Sequence, residues 1–122
     1  MAAIRYLVDD VDTAVTFYVD QLGFELEQRM GPAFAIVTRD TLSLWLSGPR
    51  SSAAQPMPDG RKPEPGGWNR LVVEVEAIDE LVTSLRSAGA RFRNDVLDGV
   101  GGKQILVEDP DDNVIELFEP RR

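Results

Sequence analysis

Residues 8–24, VDDVDTAVTFYVDQLGF, decide the fold of this chain. Asp10 is a good N-cap for a helix that begins at Val11. Apolar residues then recur at helical spacing and form one stripe: Val11, Ala14, Val15, Tyr18 and Leu22. Gly23 supplies the left-handed residue that commonly ends a helix. The alternating run Ile4–Val8 precedes this segment and predicts a strand, so the unit begins as β-α.

Three short strands are expected after this helix, over Phe24–Met30, Ala33–Thr38 and Thr41–Ser47. Gly31-Pro32 and Arg39-Asp40 separate them and are typical of turns. The first third of the chain is therefore predicted to be a βαβββ module.

The same order returns from Arg70 onward. The run RLVVEV predicts a strand, and the stripe Ile78, Leu81, Val82, Leu85 and Ala88 predicts a helix that Gly89 ends. Short strands are expected near Arg91–Asn94, Lys103–Glu108 and Asn113–Glu119. The chain is thus predicted to be α+β, with two βαβββ modules in a single domain over residues 1–122. Module one spans 1–47, a linker spans 48–68 and module two spans 69–122.

The linker is rich in proline and glycine and has no periodicity. It is longer than most loops inside compact domains, so it is expected to bind a ligand or to cross to a second subunit.

Composition excludes several kinds of chemistry. The chain carries 13 Lys and Arg against 21 Asp and Glu, a formal charge of −8, which argues against a nucleic-acid partner. It has no histidine and no cysteine, which removes Ser–His, Cys–His and zinc–thiolate sites. No apolar run is long enough for a membrane span and no signal peptide is recognisable, so a cytoplasmic location is expected.

Several short motifs resemble the vicinal oxygen chelate superfamily, which includes glyoxalase I, extradiol dioxygenases, fosfomycin-resistance transferases and bleomycin-resistance proteins. They are Val8-x-Asp10, Ala14-x-x-Phe17-Tyr18, Leu22-Gly23-Phe24 and Glu108-Asp109-Pro110-x-x-Asn113-x-x-Glu116-Leu117. The resemblance implies that the two modules form a half-barrel around a shared cavity. It leaves the activity open, because this fold hosts unrelated chemistries. A homodimer is expected, since such a half-barrel leaves sheet edges and an apolar cleft.

The resemblance also gives the positions of the metal ligands in the metal-dependent members. The two histidine positions correspond to Ala3 and Arg70, and the glutamate of module two corresponds to Glu116. Matching Ser43-Leu44 to Glu116-Leu117 gives Ser43 as the remaining position. A methyl group donates nothing and a guanidinium repels a divalent ion, so we expect no metal and no cofactor.

Alternation along the strands selects the side chains expected to face the cavity. Together with Phe34 and with Trp68 of the linker, the candidate ligand-binding residues are Arg5, Phe34, Ser43, Trp45, Trp68, Arg70, Glu116 and Phe118. Arg70 and Glu116 are expected to form an ion pair, because a buried carboxylate without a partner is disfavoured. Alternatively, this pair is purely structural and Trp45 is a core residue.

These observations lead to a metal-free small-molecule binding protein, similar to the bleomycin-resistance branch, that sequesters a cationic or planar aromatic ligand. The alternative is a cofactor-free enzyme of lyase or isomerase type, in which Arg70 is the electrophile and Glu116 the general base. A regulatory protein without any ligand is a third possibility. The expected partners are a small molecule and a second copy of the chain, with no nucleic acid and no membrane.

Overall fold

The computed structural model describes residues 2–122 and has two compact units, one ending at Pro65 and the other beginning at Gly66. Each unit contains one mixed sheet and one principal helix, so the predicted α+β class is confirmed. No helix within the described residues is long and apolar enough to cross a membrane.

The first unit contains four strands and one helix. They are β1 (Ile4–Leu7), α1 (Val11–Thr16), β2 (Glu25–Met30), β3 (Phe34–Arg39) and β4 (Leu42–Ser47). The strand order is β1-β4-β3-β2, with β1 parallel to β4 and the other neighbours antiparallel. The predicted N-cap is confirmed, because the Thr13 amide donates to Asp10 Oδ1 at 3.3 Å. The predicted C-terminal residue Gly23 has a φ of +74°.

A π-helical turn, Phe17–Gln21, follows α1 and changes which side chains are buried. The sequence stripe included Val15, which is only half-buried, and omitted Phe17, which is buried. A π-turn has more residues per turn than an α-helix, and it therefore rotates the following residues around the axis. Phe17 and Tyr18 both reach the core, where Tyr18 makes edge-to-face contacts with Phe17 and Phe24.

The segment after β4 is part of the first unit and is held by local hydrogen bonds. The Ser51 hydroxyl donates to the Gly48 carbonyl at 2.7 Å, and the Gln55 side-chain amide donates to the Ser51 carbonyl at 3.0 Å. A short 3₁₀ turn, Ser52–Ala54, lies between them. The beginning of the predicted linker therefore has local structure of its own.

The second unit contains five strands and one helix. They are β5 (Arg70–Glu74), α2 (Ile78–Ser87), β6 (Arg91–Phe92), β7 (Leu97–Asp98), β8 (Gly102–Glu108) and β9 (Val114–Pro120). The order is β5-β9-β8-β6, and β7 also pairs with β8. The strand β7 was not predicted. Ala77 provides no side-chain cap for α2, and Glu119 Oε1 instead accepts from the Ile78 amide at 2.8 Å.

A buried carboxylate organises the turn between β8 and β9. Asp109 Oδ1 accepts from the amides of Asp111 and Asn113, and its Oδ2 accepts from the Asn113 side chain. Asn113 Oδ1 in turn accepts from the Gly66 amide at 2.8 Å. These hydrogen bonds form a tight turn, which also fixes the first residue of the second unit.

Candidate functional site

The face of the first sheet opposite α1 carries a small aromatic and polar cluster. Along β4, Leu44 and Leu46 are fully buried on the helix side, so Ser43, Trp45 and Ser47 alternate onto the other face. Phe34 lies beside Ser47 on the neighbouring strand. The Phe34 and Trp45 rings meet edge to face, with their centroids 5.8 Å apart.

Arg5 completes this cluster. It is the cross-strand neighbour of Trp45 on β1, and its guanidinium lies 5.1 Å from the Trp45 ring centroid and 5.9 Å from that of Phe34. Arg5 Nη1 also donates to Ser47 Oγ at 2.9 Å. Trp45 Nε1 donates to Ser43 Oγ at 3.2 Å. All four residues predicted from this unit, Arg5, Phe34, Ser43 and Trp45, are therefore in one connected group.

The second unit has an ion pair on the corresponding face of its sheet. Arg70 Nε and Nη2 both donate to Glu116 Oε1, at 3.1 and 3.0 Å. The Glu116 side chain is 11% exposed and that of Arg70 is 34% exposed. The expected pairing of these two residues is confirmed. Both donors bond to Oε1, and no donor among residues 2–122 bonds to Oε2.

Phe118 lies two residues beyond Glu116 on β9 and is half-buried. Its cross-strand neighbours are Glu74 on β5 and Gln104 on β8. Alternation gives Phe118 the same face as Glu116, so an aromatic surface lies next to the ion pair.

Trp68 is 68% exposed and lies against Arg93, whose guanidinium carbon is 4.5 Å from the ring centroid. Arg93 also donates to Glu108 at 2.8 Å and to the carbonyls of Gly67 and Asp112, at 2.8 and 3.0 Å. It therefore holds the segment before β5 to the turn after β8. Sequence reasoning missed Arg93, because no pattern links these distant segments.

Comparison of the two sheets corrects one position of the implied ligand set. The Val8 amide bonds to the Ser47 carbonyl, and the Val75 amide bonds to the Phe118 carbonyl. Since Val8 and Val75 are equivalent, Ser47 corresponds to Phe118, and Trp45 therefore corresponds to Glu116. The match of Ser43 with Glu116 was wrong by two residues, and the first-unit counterpart of Glu116 is Trp45.

These residues do not fit a divalent metal ion. Glu116 is already bound by a guanidinium, and its counterpart Trp45 has no ligand atom. Ala3, the counterpart of Arg70, has none either. Within residues 2–122 no group of three or more His, Cys, Asp or Glu is arranged to hold a metal. The chemistry of these donors gives no basis for a metal-dependent step.

Two cations of the second unit have raised pKa values because they are bound to carboxylates. Arg91 donates a hydrogen bond to the carboxylate of Asp112, which raises the pKa of Arg91, and Lys103 donates one to Asp79, which raises the pKa of Lys103. The corresponding distances are 2.7 and 3.0 Å. Both side chains stay protonated at neutral pH and are already engaged by acidic neighbours.

Two clefts formed by the described residues contain none of the residues predicted from the sequence. One of about 360 Å³ in the second unit is lined by charged residues such as Glu76 and Glu119. One of about 310 Å³ in the first unit is lined in part by prolines, including Pro49 and Pro63. Among the predicted residues, the aromatic cluster of the first sheet offers rings and a cation to a ligand, and the ion pair of the second sheet offers an acid–base group.

The sequence matches the model of the Glyoxalase/Bleomycin resistance protein/Dioxygenase superfamily over residues 1–117. A Sphaerobacter thermophilus member of this superfamily is 27% identical, with a TM-score of 0.75 and coverage of 98% of this chain and 96% of that chain. A search of curated proteins found no significant match.

Two more distant structures share the fold. A lactoylglutathione lyase from Agrobacterium tumefaciens is 19% identical, with a TM-score of 0.69 and coverage of 98% and 92% of the two chains. A fosfomycin resistance protein from Listeria monocytogenes is 14% identical, with a TM-score of 0.75 and coverage of 99% and 93%. The match over residues 1–117 shows that this chain belongs to the glyoxalase/bleomycin resistance protein/dioxygenase superfamily.

Proposed function

We propose that this protein binds a planar aromatic small molecule without a metal ion, on the face of the first sheet that carries Arg5, Phe34, Ser43 and Trp45. The observation that carries the proposal is the contact of Phe34, Trp45 and Arg5 on a sheet face opposite the helix. Flat rings with a few polar groups nearby are typical of small-molecule sites. The superfamily includes resistance proteins, which is consistent with a binding role.

The contact of Arg5 with Trp45 favours a planar aromatic ligand over a cationic one. The guanidinium already lies against the ring surface that a ligand cation would use. Two like charges 4 Å apart repel by about 4 kcal/mol at an effective dielectric constant of about 20. A cation would therefore have to displace Arg5, whereas a neutral or anionic ring would not.

Fluorescence titration in the presence of a chelator tests this proposal. In the Trp68→Phe variant, Trp45 is the sole tryptophan, and binding of a planar aromatic compound is expected to change its emission and to raise Tm. Trp45→Leu is expected to weaken binding at least tenfold, while the fold is retained by circular dichroism. Binding that disappears with the chelator and returns with added metal would contradict the proposal.

Glu116 supports a second candidate, a cofactor-free enzyme in which Arg70 is the electrophile and Glu116 the general base. Its Oε2 accepts no hydrogen bond within the described residues, so one oxygen remains for a substrate proton. The pH–rate profile should then have an acid limb that Glu116→Gln abolishes. If a ligand binds but no compound of the panel is turned over, the binding function is favoured. The homodimer and the cytoplasmic location expected from the sequence remain part of the proposal.

A further inference from the structure

Arg5 differs from most cations of this chain because it has no carboxylate partner. Within residues 2–122, the Lys and Arg side chains that form no ion pair are Arg5, Arg50, Lys62 and Arg122. Only Arg5 among them lies on a strand. Arg5 is exposed on its strand, so its charge is open to solvent and to an anionic ligand although the chain as a whole has a formal charge of −8.

The acidic side chains of this sheet lie too far away to neutralise Arg5. Glu25 and Glu27 are on β2, at the opposite edge of the order β1-β4-β3-β2. Three strand spacings of about 4.8 Å separate the two edges, so the distance is roughly 14 Å. At physiological ionic strength exposed charges are largely screened beyond about 8 Å. The guanidinium is therefore not electrostatically satisfied by its own sheet.

The guanidinium is nevertheless held in a defined position. Ser47 Oγ accepts one of its hydrogen bonds, and the rings of Trp45 and Phe34 lie beside it. A guanidinium has five N–H donors in a rigid planar fork, and within residues 2–122 Arg5 uses them only for the bond to Ser47. This fork matches the two oxygens of a carboxylate, and a fixed fork loses little entropy when it binds one.

We propose that the ligand of this face is a planar aromatic carboxylate, whose ring stacks with Trp45 and Phe34 while its carboxylate binds Arg5. This inference rests on the proposed function and names the chemical class of its ligand. It follows from three observations together, which are the unpaired guanidinium, its fixation by Ser47 and the two adjacent rings. The overall acidity of the chain does not exclude such a ligand, because the acidic side chains of this sheet lie on the far strand β2 and none of them forms an ion pair with Arg5.

Calorimetric titration of the full chain with three probes of similar size and different charge tests the ligand class. The probes are naphthalene-2-carboxylate, naphthalene-2-carboxamide and naphthalene-2-methylammonium. The carboxylate is expected to bind at least tenfold more tightly than the carboxamide, and the ammonium compound is expected to bind most weakly. Equal binding of all three, or tightest binding of the ammonium compound, would overturn this inference but leave the binding function standing. Binding of none would overturn both.

Two variants assign the preference to Arg5. Arg5→Met keeps much of the side-chain stem but removes the charge, and it is expected to abolish the preference for the carboxylate. Arg29→Met is the matched control, since it makes the same charge change on the same sheet at an arginine that pairs with Asp12. It is expected to leave the preference unchanged. A preference that survives in Arg5→Met would contradict the inference, and the probe series on the unaltered chain is decisive even if a variant folds poorly.

Discussion

The two units have the same strand order, but their arginines differ in what they contact. In the first unit Arg5 lies against Trp45 and forms no ion pair with any carboxylate of residues 2–122. In the second unit Arg70 is bound to Glu116, which occupies the position equivalent to Trp45. Two copies of one scaffold have thus diverged into a face with an uncompensated positive charge and a face that neutralises itself. This difference explains why we propose the ligand site on the first sheet.

The largest expected effects test whether the two scaffolds are equivalent in their cores. Leu46 and Leu117 occupy equivalent positions by the strand register, and both are fully buried. Leu46→Ala and Leu117→Ala are each expected to destabilise the protein by about 3 kcal/mol, because both leave a cavity. Urea unfolding measures the change. A loss under 1 kcal/mol in one variant only would break the equivalence of the two units.

The ion pair of the second unit should give the next largest effect. Arg70→Met leaves the buried carboxylate of Glu116 without a partner and is expected to cost about 2 kcal/mol, less than a fully buried pair because Arg70 is 34% exposed. The double variant Arg70→Met with Glu116→Leu should recover most of this loss. Chemical denaturation of the single and double variants provides the test. If the double variant is no more stable than Arg70→Met, the pair does not act as a neutral unit.

A smaller effect is expected from Arg93, which joins the segment before β5 to the turn after β8. Arg93→Met removes hydrogen bonds to Glu108, Gly67 and Asp112 and is expected to cost about 1.5 kcal/mol. The same change should alter the emission of Trp68 in a Trp45→Phe background, because its ring loses the guanidinium. Unchanged emission would mean that Arg93 does not fix this tryptophan in solution.

The smallest effect on stability is expected at Arg5. Its contacts are one hydrogen bond to Ser47 and two cation–π contacts, so Arg5→Met should cost only about 0.5 kcal/mol. Thermal unfolding without a ligand checks this value. A loss as large as that of Arg70→Met would indicate a structural role for Arg5 and would remove the contrast between the two faces.

Much of the fold follows from local patterns. Asp10, Gly23 and Gly89 set helix boundaries through capping and left-handed geometry, and these features depend only on neighbouring residues. The alternation in β4 correctly separated Leu44 and Leu46 from Trp45. The π-helical turn was missed, because the same apolar residues also satisfy an ordinary helix.

The mismatch of Ser43 with Glu116 has a specific physical cause. Side chains of a strand repeat every two residues, so a shift of two leaves the same side chains on the same face. Hydrophobic alternation cannot distinguish these registers, and only the hydrogen bonds between β1 and β4 and between β5 and β9 do so. The clusters around Arg5 and Arg93 depend on such long-range pairing, which explains why the sequence named only some of their members.

The strand order within each unit has a consequence for how the chain acquires its structure. In each sheet the strand made last, β4 or β9, lies between the first strand and the one before it. During synthesis, β1 or β5 therefore has no neighbouring strand to pair with until the last strand of its unit has been made. The apolar surface of the unit stays exposed until then. Partly synthesised chains associate wrongly during such a delay, so we expect chaperones to matter most before the last strand of each unit is made.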